Sequence, residues 1–118
     1  TFFAHRLFAA VTGMQITQNG LDRAAERIFN LERAIQIRGH GRSRKQDELI
    51  VPYFERMEHF VGPSGKRETL DAGRFSKLMD EYYVLRGWNT ATGRPTKERL
   101  VELGLDDVSR ELDELDLI

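Results

Sequence analysis

Side chains able to ligate, attack or titrate are sparse in this chain, and their spacing narrows the chemistry quickly. The histidines His5, His40 and His59 lie far apart. Glu55, Glu58 and His59 form a carboxylate–carboxylate–histidine group, but a di-iron bundle needs two helices that each carry Glu-x-x-His, and no second copy occurs. The chain has no cysteine, which excludes disulfides, thiolate catalysis and cysteine-ligated zinc or iron–sulfur sites from it. Gly62-Pro63-Ser64-Gly65-Lys66 has the outline of a phosphate loop. That loop needs a glycine five residues before Gly65 and a hydroxyl after the lysine, where Phe60 and Arg67 stand. Gly39-His40-Gly41 lacks the third glycine and the preceding strand of a dinucleotide loop, so a flexible turn is expected there.

Two polar groupings are more informative. Arg38, Arg42, Arg44 and Lys45 lie among glycines. Such a stretch is either a solvated loop or a grip on phosphate or carboxylate through bidentate hydrogen bonds, and it could clamp an acidic neighbouring surface. No aromatic platform interleaves with it, which argues against single-stranded nucleic acid. The second grouping is Glu26, Arg27, Asn30, Glu32 and Arg33. Glu26 with Asn30, and Asn30 with Arg33, are neighbours on a helix surface. A solvent face laced with ion pairs would have this look, but asparagine is a poor mid-helix residue unless it has a hydrogen-bonding job. Buried polar anchoring of a loop or of another domain is the expectation. Tyr82, Tyr83 and Trp88 near Arg86 are expected to pack at a helix end.

The elements that must position these groups are helices. Ala4, Leu7, Phe8 and Val11 share a face, which predicts a short helix from about Phe2 to Val11 that ends near Gly13. Thr17 is the expected cap of the longest helix, whose apolar face would be Leu21, Ala24, Ala25, Ile28, Leu31 and Ile35. Arg23, Glu26, Arg27, Asn30 and Arg33 fall opposite, and the helix is expected to end near Arg38-Gly39. Residues 39–70 are broken by glycines and prolines and are expected to be irregular, with one short helix around Tyr53, Phe54, Met57 and Phe60. Long loops of this kind are often functional or docked on another surface.

Asp71 caps a predicted helix bearing Phe75, Leu78, Met79, Tyr82 and Leu85, with Gly87 as its stop. Thr96, after Pro95, caps another with Leu100 and Leu103 inside and Gly104 as its stop. A last helix opens at Asp106 or Asp107 and carries Val108, Leu112 and Leu115. Its many carboxylates with regularly spaced leucines predict an amphipathic capping helix rather than a disordered tail. Neither strand alternation nor a repeat is evident. The expected fold is mainly α: one compact domain, residues 1–118, of about five helices with one long irregular loop.

Composition agrees with an ordinary globular domain: 118 residues, 40% hydrophobic, 31% charged, net charge −1. That charge gives no global field for nucleic acid or anionic lipid. No apolar run approaches the roughly 20 residues of a membrane span. The opening segment is a poor signal peptide, because His5 and Arg6 interrupt it and no basic lead-in precedes it. A cytoplasmic location is expected.

Four segments, in order, resemble the C-terminal helical region of the aldehyde ferredoxin oxidoreductase family, the tungsten- or molybdenum-pterin enzymes. Thr12-Gly13 is similar to its Thr-Gly opening. Ala25 to Arg33 resembles Gly-Glu-Arg-Ile-x-Asn-Leu-Glu-Arg, with Ala25 in place of the glycine. Asp80 to Trp88 resembles Asp-Glu-Tyr-Tyr-x-Leu-Arg-Gly-Trp. Gly93 to Leu105 resembles Gly-x-Pro-Thr-x-x-x-Leu-x-x-Leu-Gly-Leu. The chain departs from the family after the long helix, where Arg38 is followed by Gly39-His40-Gly41 instead of Glu-Gly.

The resemblance implies a parent enzyme that moves electrons from a substrate, typically an aldehyde, through a tungsten or molybdenum bis-pterin to a [4Fe-4S] cluster and then ferredoxin. The family's cluster cysteines and main pterin segments lie upstream of the matching region. The expectation is therefore a C-terminal domain that packs on the rest of the parent, encloses the pterin and cluster, lines the substrate channel and has no activity alone. Arg27, Asn30, Arg33 and Arg38 are the candidate domain-docking or loop-anchoring residues. Catalytic, cofactor-binding and metal-ligating residues are expected to be absent from this chain. The rival expectation is a stand-alone helical interaction module without redox chemistry.

Overall fold

The computed structural model describes residues 3–55, 61–66 and 69–118. The fold is mainly α, as predicted. In chain order the helices are α1 (Ala4–Thr12), α2 (Gln18–His40), α3 (Arg44–Asp47), α4 (Val51–Glu55), α5 (Ala72–Arg86), α6 (Lys97–Glu102) and α7 (Asp106–Glu114), with a 3₁₀ turn at Glu48–Ile50. Among the described residues there is no strand, and an isolated antiparallel bridge joins Trp88 to Pro95.

The capping chemistry places the helix starts. The Thr17 hydroxyl accepts from the Gly20 amide, the Asp71 carboxylate from Arg74 and the Thr96 hydroxyl from Arg99, each satisfying an otherwise orphaned N–H of a first turn. Gly13, Gly41 and Gly87 end α1, α2 and α5 in the left-handed conformation that favours glycine. The long helix thus runs through Gly39 and His40, beyond the expected stop near Arg38-Gly39. Its last turn closes only where Gly41 takes φ 61° and donates back to Ile37.

The segment expected to be irregular is partly helical. Ser43 and Gln46 form a reciprocal capping box that starts α3, and the 3₁₀ turn and α4 follow directly. Tyr53 and Phe54 lie in α4. Met57, Glu58, His59, Phe60 and Arg67 lie outside the described residues, and so does Phe2.

The core gathers at the C-terminal end. Ala34 and Ile37 of α2 pack with Leu100, Leu103, Leu105 and Leu112, and Val108, Leu117 and Ile118 press against that cluster. The face of α2 that does this is not the expected one. Asn30, Arg33, Ala34 and Ile37 are buried, whereas Ile28 and Ile35 are each 61% exposed. The apolar stripe faces outward because the Trp88 turn, α6 and α7 occupy the opposite side, where polar partners await Asn30 and Arg33. Leu78, Leu85 and Leu115, expected to face inward, are also exposed.

The molecule is more open than a compact chain of its length. Its radius of gyration is 18.0 Å, against about 13.5 Å for a compact domain of this size. Its accessible surface is 8639 Å², against about 6,600 Å² for a typical monomer of this mass.

Candidate functional site

The densest polar chemistry lies where α2, the start of the 42–55 segment, α5 and the Trp88 turn meet. Asp47, at the end of α3, is the hub. Its Oδ2 accepts from Arg33 Nη2 at 2.5 Å and from the Tyr83 hydroxyl at 2.6 Å. Its Oδ1 accepts from Arg33 Nη1 at 3.0 Å and from Arg42 Nε and Nη2 at 3.0 and 2.8 Å. The Arg33 side chain is 6% exposed and that of Asp47 10%. Burial alone would raise the Asp47 carboxyl, but the hydrogen bonds from Arg33, Tyr83 and Arg42 outweigh it and hold the group at about 2. Burial, and then the bond to Asp47, push the Tyr83 phenol far above its ordinary value, so it stays a donor.

The other donors of Arg33 reach back along the turn. Its Nε and Nη2 donate to the Gly93 carbonyl at 2.9 and 2.7 Å, and its guanidinium lies 4.6 Å from the centroid of the Trp88 ring. Gly93 has φ 67°, and a Cβ there would sit 2.8 Å from Arg33 Nη2 and from the Tyr83 hydroxyl. The glycine is therefore demanded twice, by its backbone and by the close approach.

Asn30 stands one turn earlier. Its Oδ1 accepts from Trp88 Nε1 at 2.8 Å, and its Nδ2 donates to the Glu26 carbonyl at 2.9 Å. Trp88 in turn stacks on Phe29, with centroids 5.9 Å apart. A parallel lock joins Glu26 to Arg86 and to Arg99, the latter at 3.1 Å. Arg44 ties the 42–55 segment to α5 through Asp80 and Ser76, and to the turn through the Thr90 carbonyl at 2.7 Å.

The four sequence candidates therefore separate. Asn30 and Arg33 are buried and bind the Trp88–Gly93 turn. Arg38 is exposed and pairs with Glu111 of α7 at 3.1 Å. Arg27 is exposed beside Gly104. Within the arginine-rich stretch, Arg42 and Arg44 join the network. Asp47 is the hub that sequence reasoning missed, whereas Glu26 belonged to the polar grouping expected to anchor on α2. A carboxylate in a polar loop carries no periodic signal, and only its three-dimensional partners mark it.

A cleft of about 320 Å³ opens beside the hub, walled by Phe29, Met79, Tyr82 and Trp88, with Gln36 and Arg42 at its polar side. Its chemistry is that of a lock. Both oxygens of Asp47 are occupied by donors, the Tyr83 proton is committed, and neither group is poised for proton transfer. Among the described residues, no group of three or more His, Asp or Glu side chains is placed to hold a metal ion. With no cysteine, this chain supplies no thiolate for an iron–sulfur cluster.

A family model described as "Aldehyde ferredoxin oxidoreductase, domains 2 & 3" matches residues 3–105. The chain belongs to this family. Among solved structures it is similar to the active site complex BamBC of benzoyl coenzyme A reductase in complex with 1,5-dienoyl-CoA, at 29% identity and a TM-score of 0.73. That match covers 98% of this chain and 16% of the other. The match to the oxidoreductase family contains every residue of the Asp47 and Glu26 locks.

Proposed function

We propose that residues 1–118 form the C-terminal domain of an aldehyde ferredoxin oxidoreductase-like enzyme. The observation that carries this is the family match over residues 3–105. In this reading a tungsten or molybdenum bis-pterin and a [4Fe-4S] cluster, held by upstream segments, supply the redox chemistry, and ferredoxin takes the electrons. This domain packs on the remaining domains, helps enclose the cofactors and lines the substrate channel in a cytoplasmic enzyme. Its share is shape and dryness, because a closed site strengthens every electrostatic interaction inside it.

The Asp47 lock supports that role. It fixes the segment from Arg42 to Ile50, which directly follows the Gly39-His40-Gly41 departure from the family pattern, against α2 and α5. Arg33 and Asn30 act as loop anchors, and Arg27 and Arg38 remain available at the surface for domain docking. The isolated chain has no aldehyde oxidation of its own.

The test is the intact mass of the natively expressed polypeptide, with metal analysis of the same material. A much larger chain with tungsten or molybdenum plus iron supports the reading. A native mass near 13.7 kDa without metal replaces it with a stand-alone helical interaction module.

A further inference from the structure

We infer that the outward face of α2, with the groove it forms against α7, is the seat of one amphipathic helix from another domain of the same polypeptide. This rests on the domain reading above and names the surface through which it operates. Leu21, Ala24, Ile28, Leu31 and Ile35 recur at alternating spacings of three and four residues, the seam pattern that packs helix on helix at a shallow angle. The seam is about 21 Å long at 1.5 Å per residue. Leu21 and Ala24 are half-buried, while Ile28 and Ile35 stand in solvent.

Beside the ridge, Leu31, Ala34, Ile35, Val108 and Leu112 line a notch of about 110 Å³. Its volume matches a single aliphatic side chain entering from a facing helix. The Arg38–Glu111 pair fences one end, and both groups are too exposed for that pair to resist rearrangement.

Three observations choose the occupant. A helix whose opposite face is already buried has no structural need for a second apolar seam unless a second partner covers it. The molecule exposes about 2,000 Å² more surface than a compact monomer of its mass. The matched family model is itself described as domains 2 and 3, and the similar solved chain extends well beyond the matched 16%. The occupant is therefore another part of the parent chain. It carries apolar residues at i, i+3 and i+7, with a basic flank toward Asp107 and Glu111.

The experiment places the photoreactive residue p-benzoylphenylalanine at position 35 of the full-length protein, with position 98 on α6 as the exposed control. Illumination should give an intramolecular cross-link from position 35 to an apolar helical peptide outside the 118 residues, and none from position 98. A cross-link to a second copy, seen as doubled mass, overturns the proposal, as does a position 35 that behaves like position 98. Ile35→Asp should lower the melting midpoint of the full-length protein, while Glu98→Ala at the exposed control position of α6 leaves it unchanged. Equal effects in both overturn it too. A natural polypeptide near 13.7 kDa would instead defeat the underlying domain reading, so the two failures are distinguishable.

Discussion

Asp47 concentrates several interactions in one carboxylate, and its removal should cost more than any single contact suggests. Asp47→Ala leaves the buried Arg33 guanidinium without its counter-charge, a change that typically costs about 3–5 kcal/mol. Tyr83→Phe removes one hydrogen bond to a charged acceptor and should cost about 1.5–3 kcal/mol. Urea unfolding of the 118-residue chain reads both; an Asp47→Ala loss no larger than that of Tyr83→Phe would mean that Arg33 is not dependent on this pair.

The pH dependence follows with a definite sign. The folded Asp47 carboxyl lies at about 2, below its reference value of 3.8. Its contribution of about 2 kcal/mol is fully present above pH 4 and is lost as the pH falls from there toward 2. Urea midpoints of wild type should fall across that window, and Asp47→Asn should flatten this part of the fall. An unchanged acid limb in the variant would assign the acid sensitivity to other carboxylates.

At the level of elements, α2 shows what a sequence can and cannot disclose. Its existence and its Thr17 cap were legible, because a cap and a long periodic stripe are local signals. The same holds for Asp71, Thr96, Gly87 and Gly104 at the later helices. Which face of α2 meets the core was not legible. Periodicity identifies an apolar stripe but not its partner, and here the stripe waits outside while Asn30 and Arg33 are buried against the Trp88 turn. α3 escaped notice because its capping box follows a glycine-rich break and its four residues are too short for periodicity.

The reversal makes a sharp prediction. Ile37→Ala, on the face opposite the stripe, should cost about 2–5 kcal/mol in the 118-residue chain. Ile28→Glu, on the stripe itself, should change its stability by no more than about 0.5 kcal/mol. Thermal or urea unfolding compares the two directly. If Ile28→Glu were the more damaging, the apolar stripe would be the core face after all.

The whole molecule carries the consequence of that reversal in its dimensions. One buried cluster at the C-terminal end, two carboxylate locks and several outward apolar faces give a body of 48 × 41 × 22 Å. A chain that buried Ile28, Ile35, Leu78 and Leu85 within itself would have to fold α1 and α5 over the outer side of α2. Its radius of gyration would then contract toward about 13.5 Å. The locks oppose that collapse, because Arg44 and Arg33 fix the 42–55 segment and α5 on the inner side. Small-angle scattering of the dilute 118-residue chain should therefore give a radius near 18.0 Å, with a helical circular-dichroism spectrum excluding simple unfolding. A radius near the compact value with helix retained would show that the outer faces close on one another. The seam on α2 would then need no partner domain.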